Sequence, residues 1–125
     1  MHIIVYEVIF YTDKNDNSEL IEYIKYLREH SSTKDSRIKL AKILAYLNKL
    51  KAYGTKIGEP YIKHLDGAIW ELRPIRDRIL FAYWKNNKFI LLHYFMKKTQ
   101  KTPTKEIEQA KRNLKDYIER GGGNE

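Results

Sequence analysis

The sequence predicts an α+β domain: a curved antiparallel β-sheet with two N-terminal helices packed on one face and a C-terminal helix. Two observations carry this expectation. Apolar residues recur at helical spacing between about residues 19 and 50, at alternating spacing between 61 and 97, and at helical spacing again after Pro103. The alternating stretch is cut by turn-forming pairs, Asp66-Gly67 and Asn86-Asn87, as a meander of short strands requires. A chain of 125 residues with no repeat and no long linker has room for one core, so residues 1–120 read as a single domain and 121–125 as a flexible tail.

His2–Tyr11, rich in Ile, Val, Tyr and Phe, reads as a first strand, ended by the polar run Thr12–Ser18. Asp16 or a neighbour caps the first helix, whose apolar face is Leu20, Ile24 and Leu27. Ser31–Thr33 offers a second cap, and Leu40, Ile43, Leu44, Leu47 and Leu50 form the stripe of a second helix ended by Gly54, Gly58 and Pro60. Four β-prone runs follow: Tyr61–Leu65, Ala68–Pro74, Arg78–Trp84 and Lys88–Lys97. Strict alternation puts Glu71 and Arg73 on one side of their strand, and Phe89, Leu91, His93 and Phe95 on one side of theirs. Thr102 reads as a cap with Pro103 at the first helical position, before a helix lined by Ile107, Ala110 and Leu114.

Composition excludes several function classes. With no cysteine there is no disulfide, thiol nucleophile or cysteine-based zinc site. The four histidines (His2, His30, His64 and His93) lack metal-ligand spacing, so neither a metal nor a cofactor is expected. No apolar run approaches 18 residues, and the opening stretch carries Glu7 without a basic lead, so neither a membrane span nor a signal peptide is expected and a cytoplasmic location follows. The net charge is +8, and Lys63–Lys105 holds ten Lys and Arg against Asp66, Glu71 and Asp77. That local excess points to a polyanionic partner.

The run LDGAIWELRPIRDRILFAYWKNNKFILLHY, with FMKKTQKTPTKEIEQAKRNL after it, resembles the HigB-type, phage-derived branch of the RelE toxin superfamily. The resemblance rests on Glu71-Leu72-Arg73, on Arg78–Phe81 and on Leu91–Pro103, in that order, and with the strand–helix–helix lead-in it extends over nearly the whole chain. It implies a toxin of a type II toxin–antitoxin system: an endoribonuclease that enters the ribosomal decoding site and cuts the mRNA there. The implied partners are the ribosome, mRNA and a HigA-type helix-turn-helix antitoxin. In the implied reaction the ribose 2′-hydroxyl attacks the adjacent phosphate and leaves a 2′,3′-cyclic phosphate. Such chemistry needs a base, cations for the phosphorane and an acid, with no metal or protein nucleophile. The same fold also serves as a non-catalytic nucleic-acid-binding or regulatory module, which is the alternative reading.

The resemblance places Arg78 on the scissile phosphate, a role suited to a planar, permanently charged guanidinium. As the opening residue of a strand, Arg78 is expected to be exposed and to contribute little to stability. Arg73 is a second phosphate clamp or the ion-pair partner of Glu71, and Glu71 is either a base or the holder of the arginine. Lys97 and Lys98 follow the last strand, where the superfamily carries an acid or charge stabiliser; a solvated turn is the competing reading. His93 is either a proton-transfer group, a role imidazole suits, or a hydrogen-bonded core residue. Lys63, His64, Arg76, Lys101 and Lys105 are expected to contact RNA. Trp70 and Trp84 are expected in the core, and Tyr94 and Phe95 either there or stacked on bases.

Overall fold

The computed structural model describes residues 5–121. The elements run β1 (Glu7–Phe10), α1 (Glu19–Glu29), α2 (Lys34–Tyr53), β2 (Ile62–Asp66), β3 (Ile69–Leu72), β4 (Asp77–Trp84), β5 (Lys88–Met96) and α3 (Thr104–Glu119). The first part of the expected opening strand, His2–Ile4, and Gly122–Glu125 of the expected tail lie outside the described residues.

The five strands form one curved sheet in the order β1-β5-β4-β3-β2. β2 to β5 make the expected antiparallel meander, but β1 pairs parallel to β5, with Glu7 opposite Lys88 and Phe10 opposite Leu91. The sheet is therefore mixed, and chain path is the reason. The α1–α2 hairpin carries the chain across one face from the β1 edge to the opposite edge, and three reversals bring β5 back beside β1. At the β4–β5 reversal Asn86 and Asn87 adopt φ of 66° and 59°, a left-handed conformation that asparagine tolerates better than most residues.

Each face carries its own core. On one, Leu20, Ile24, Leu27, Ile43, Leu47 and Leu50 of the helix pair meet Ile62, Leu72, Ile79, Phe81, Phe89 and Leu91. On the other, Ala110, Leu114 and Tyr117 of α3 cover Ile69, Leu80, Ala82, Ile90 and Leu92. Each fully buried Leu, Ile or Phe contributes roughly 1.5–3 kcal/mol relative to exposure. α3 thus packs on the face opposite to α1 and α2. The sheet is apolar on both sides through its middle strands, and two helices cover only one of them.

The helix starts follow the expected caps except at α3. Ser18, not Asp16, caps α1 by accepting from the Ile21 amide, while Asp16 sits in the preceding turn at φ 62°. Thr33 caps α2 through the Ser36 amide, as expected. Pro103, not Thr102, occupies the cap position of α3; its ring has no polar atom to offer, and the Thr102 hydroxyl is spent on Glu71.

One irregularity positions the site. Leu80 pairs with His93 and Phe81 with Leu91, so Leu92 is an extra residue in β5. This bulge reverses the alternation beyond it. Phe89 and Leu91 face α1 and α2, whereas His93 and Phe95 share the α3 face with Leu80. The four residues do not lie on one side, as strict alternation requires.

Candidate functional site

Successive residues of a strand point to opposite faces, so the first two residues of β4 seed a polar cluster on each side of the sheet. Asp77 enters the α1–α2 face and Arg78 the α3 face.

On the α3 face, Glu71 is 1% exposed and gathers three partners. Its Oε1 lies 3.4 Å from Arg73 Nε and 3.8 Å from Arg78 Nε, and its Oε2 accepts from the Thr102 hydroxyl at 2.5 Å. An ionised acceptor makes a stronger bond than a neutral one, which explains why Thr102 serves Glu71 instead of capping α3. Of the two roles open to Glu71, the geometry matches the holder.

Arg78 is 6% exposed, contrary to the exposed strand-end residue expected from its position. Its Nη1 donates to the carbonyls of Ile75 (3.0 Å) and Asp77 (2.8 Å), and Phe95 stands opposite it in the β4–β5 register. Burial pushes its pKa down, against the attraction of Glu71, but a guanidinium has margin enough to remain a cation. Arg73 is more open, with a quarter of its side chain accessible. Its Nε is nevertheless buried and makes no hydrogen bond despite the nearby Glu71 oxygen.

His93 joins this face through the bulge. Its Nε2 lies 2.9 Å from Glu106 Oε1 on α3. It also lines a cleft of about 500 Å³ between the start of α1, the edge of β5 and α3, together with Tyr11, Lys105, Glu106 and Asn113. Pairing of Lys63 with Glu71 in the β2–β3 register sets exposed Lys63 on the same face.

A basic rim adjoins the cluster. Arg76 Nη2 donates to the Lys97 carbonyl at 3.2 Å, and the Lys97 amide donates to the Arg76 carbonyl at 2.7 Å, tying the loops before β4 and after β5. With Ile75, Lys98, Thr99 and Gln100 they line a hollow of about 340 Å³, and exposed Lys101 follows. His64 stands apart: its ring packs at a tilt of 56° against Trp70 with centroids 4.9 Å apart, and its Nε2 lies 2.7 Å from the Gly67 carbonyl. Trp70 and Trp84 are partly buried against the two cores, and Phe95 packs into the α3 core.

On the opposite face, Asp77 is 1% exposed and accepts from Tyr23 (3.0 and 3.2 Å) and Tyr94 (3.1 Å), whose rings stack 4.4 Å apart. Tyr94 is thus a structural ring that ties β5 to α1. Burial, supplemented by the Asp77 charge, pushes Tyr23 up to about 12, against the hydrogen bond with Tyr94. Burial, hydrogen bonding to Tyr23 and the Asp77 charge push Tyr94 up as well. Both phenols therefore hold their protons more tightly folded than unfolded. Stability from this pair is complete below pH ~10 and is lost as pH rises above it, through about 12 for Tyr23. Urea denaturation at pH 9 and pH 11 should show that fall, and the Tyr23→Phe, Tyr94→Phe double variant should flatten it; equal slopes in parent and variant would refute the assignment.

Asp77, Thr102 and Glu106 are the polar residues that sequence reasoning missed as site members. Only for Asp77 was a signal present, since alternation sets it opposite Arg78. Thr102 and Glu106 reach their partners across 31 and 13 residues of chain. Among the described residues no three His, Asp or Glu side chains are placed to hold a metal ion, and no helix is long and apolar enough to cross a membrane.

No curated protein matches the sequence. A protein family does: the one described as Phage derived protein Gp49-like (DUF891) matches residues 32–115, about two thirds of the chain, from the start of α2 to the last turns of α3. That span includes every member of the α3-face cluster and the rim. The chain belongs to this Gp49-like, phage-derived family of RelE/HigB-like toxins, a family associated with toxin–antitoxin systems.

Proposed function

We propose that the protein is a HigB-type toxin that cleaves mRNA on the ribosome, and that a HigA-type helix-turn-helix antitoxin restrains it in the cytoplasm. The observation that carries this reading is the convergence of Arg73, Arg78, Glu71 and His93 on one sheet face beside a rim of Arg76, Lys97, Lys98 and Lys101. Arg73 points its buried Nε toward Glu71 and keeps a quarter of its side chain accessible. A phosphate can approach the accessible part of this side chain, and guanidinium groups suit its charge and geometry.

In this reading Arg73 meets the scissile phosphate directly. Arg78, held by Glu71 and two carbonyls, adds fixed positive charge beneath it, which stabilises charge developing in the transition state without reorganisation. Lys63, Lys97, Lys98, Lys101 and Lys105 bind flanking RNA and ribosomal phosphates. His64, on the other face, can touch only RNA that wraps the β2 edge.

Mapping the ends made by the purified chain on a defined mRNA held by translating ribosomes tests the proposal. The expected fragments carry 2′,3′-cyclic phosphate and 5′-hydroxyl ends. Intact mRNA, or fragments with 5′-phosphate ends, would overturn it. Intact mRNA with salt-sensitive RNA binding would instead support the binding-module reading.

A further inference from the structure

We infer that Glu106 is the positioning residue of a His93–Glu106 pair, and that it presents His93 Nδ1 as the acceptor of the 2′-hydroxyl proton. The inference rests on the ribonuclease reading above and deepens it. A carboxylate oxygen only accepts hydrogen bonds, so the 2.9 Å contact places a proton on Nε2. The neutral ring then has its lone pair on Nδ1, which is the form a general base needs. Nδ1 has no hydrogen-bond partner among the described residues, and the ring borders the cleft shared with Lys105 and Glu106.

Placement relative to the cations agrees. His93 pairs with Leu80, two residues along β4 from Arg78, so the two side chains are diagonal neighbours on one face. Diagonal neighbours in an antiparallel pair stand about 7 Å apart, a distance that one nucleotide's ribose and phosphate can span. The imidazole is itself steadied by Phe95, whose ring is nearly parallel at 28° and 6.2 Å.

The 2′-hydroxyl proton passes to Nδ1 as the O2′–P bond forms. The P–O5′ bond breaks, the 5′-oxygen takes a proton from water, and a 2′,3′-cyclic phosphate remains. The imidazolium so formed faces the Glu106 carboxylate, and the ring returns its proton to solvent after product release.

Two measurements on Glu106→Gln and Glu106→Ala test the pair. Imidazole ¹⁵N shifts of the purified chain read the tautomer without any reaction. Single-turnover cleavage on ribosomes, as a function of chain concentration, separates kcat from KM. The parent should show Nε2–H, and Glu106→Ala should show a mixture of tautomers. Its kcat should fall about 100-fold with KM nearly constant, while Glu106→Gln, which keeps an acceptor, should fall about 10-fold. An Nδ1–H tautomer in the parent overturns the inference, as does a folded Glu106→Ala chain that cleaves at the parent rate. Absence of cleavage by the parent overturns both the inference and the ribonuclease reading, whereas parent cleavage with an unaffected Glu106→Ala overturns the inference alone.

Discussion

Arg78→Ala is expected to lose about 3–5 kcal/mol of folding stability, the usual result of removing one partner from a buried ion pair. The side chain is 7% accessible and bonds the carbonyls of Ile75 and Asp77. Its loss leaves those carbonyls short of a donor and Glu71 with half its compensation. For a domain of this size the midpoint of thermal unfolding should drop on the order of 10–20 °C. Arg78→Lys should recover part of it, because one ammonium cannot reproduce the fork that reaches two carbonyls and a carboxylate. Arg73→Ala provides the contrast. With a quarter of its side chain accessible and no carbonyl depending on it, its removal should change stability by about 1 kcal/mol. Cleavage should nevertheless fall a hundred- to a thousand-fold, as expected for one preorganised donor to a developing anion. Urea denaturation and ribosomal cleavage on both variants check the division. An Arg78→Ala chain as stable as the parent contradicts the buried clamp, and an Arg73→Ala chain cleaving at full rate contradicts the anion site.

Glu71→Ala should be as severe and should destabilise by a different route. Removing the carboxylate leaves two guanidinium groups facing one another with nothing between them, one of them buried, and frees the Thr102 hydroxyl from its acceptor. A loss of about 3–5 kcal/mol is again expected. Glu71→Gln should be milder because it keeps an oxygen for Thr102. The informative variant is the double one. Combining Glu71→Leu with Arg78→Met replaces the pair by apolar groups, and such replacements often cost little. The double variant should therefore lose less than the sum of the two single changes by about 1–3 kcal/mol. Additive losses would show that the two side chains are not coupled.

Much of the fold was legible because local rules decide it. The switch of apolar period placed all three helices and four of the five strands within a few residues of their bounds, and Asn86-Asn87 makes the turn expected of it. The direction of β1 was not legible. Parallel and antiparallel neighbours draw on the same β-prone residues, and the choice depends on where the helix hairpin returns the chain. The side on which α3 lies was likewise open, since Ala110 and Leu114 would suit either apolar face of the sheet.

The site divides along the same line. Sequence by itself determined which residues carry the charge: the basic stretch from Lys63 to Lys105, the Glu71–Arg73 pair on one side of a strand, and Arg78 at the head of the next. Those follow from composition and the two-residue period. Only the tertiary structure decided that Arg78 is buried, because exposure depends on what the rest of the chain lays over a strand end. Only it decided that Thr102 and Glu106 are partners of Glu71 and His93, through contacts that span distant segments. The extra residue at Leu92 decided most. A single unpaired residue shifts every side chain beyond it to the other face, and so His93 stands with the arginines under α3 instead of with Phe89 and Leu91 under the helix pair. Such a bulge arises from how two strands accommodate each other's register, and that information resides in the pairing, not in either strand alone.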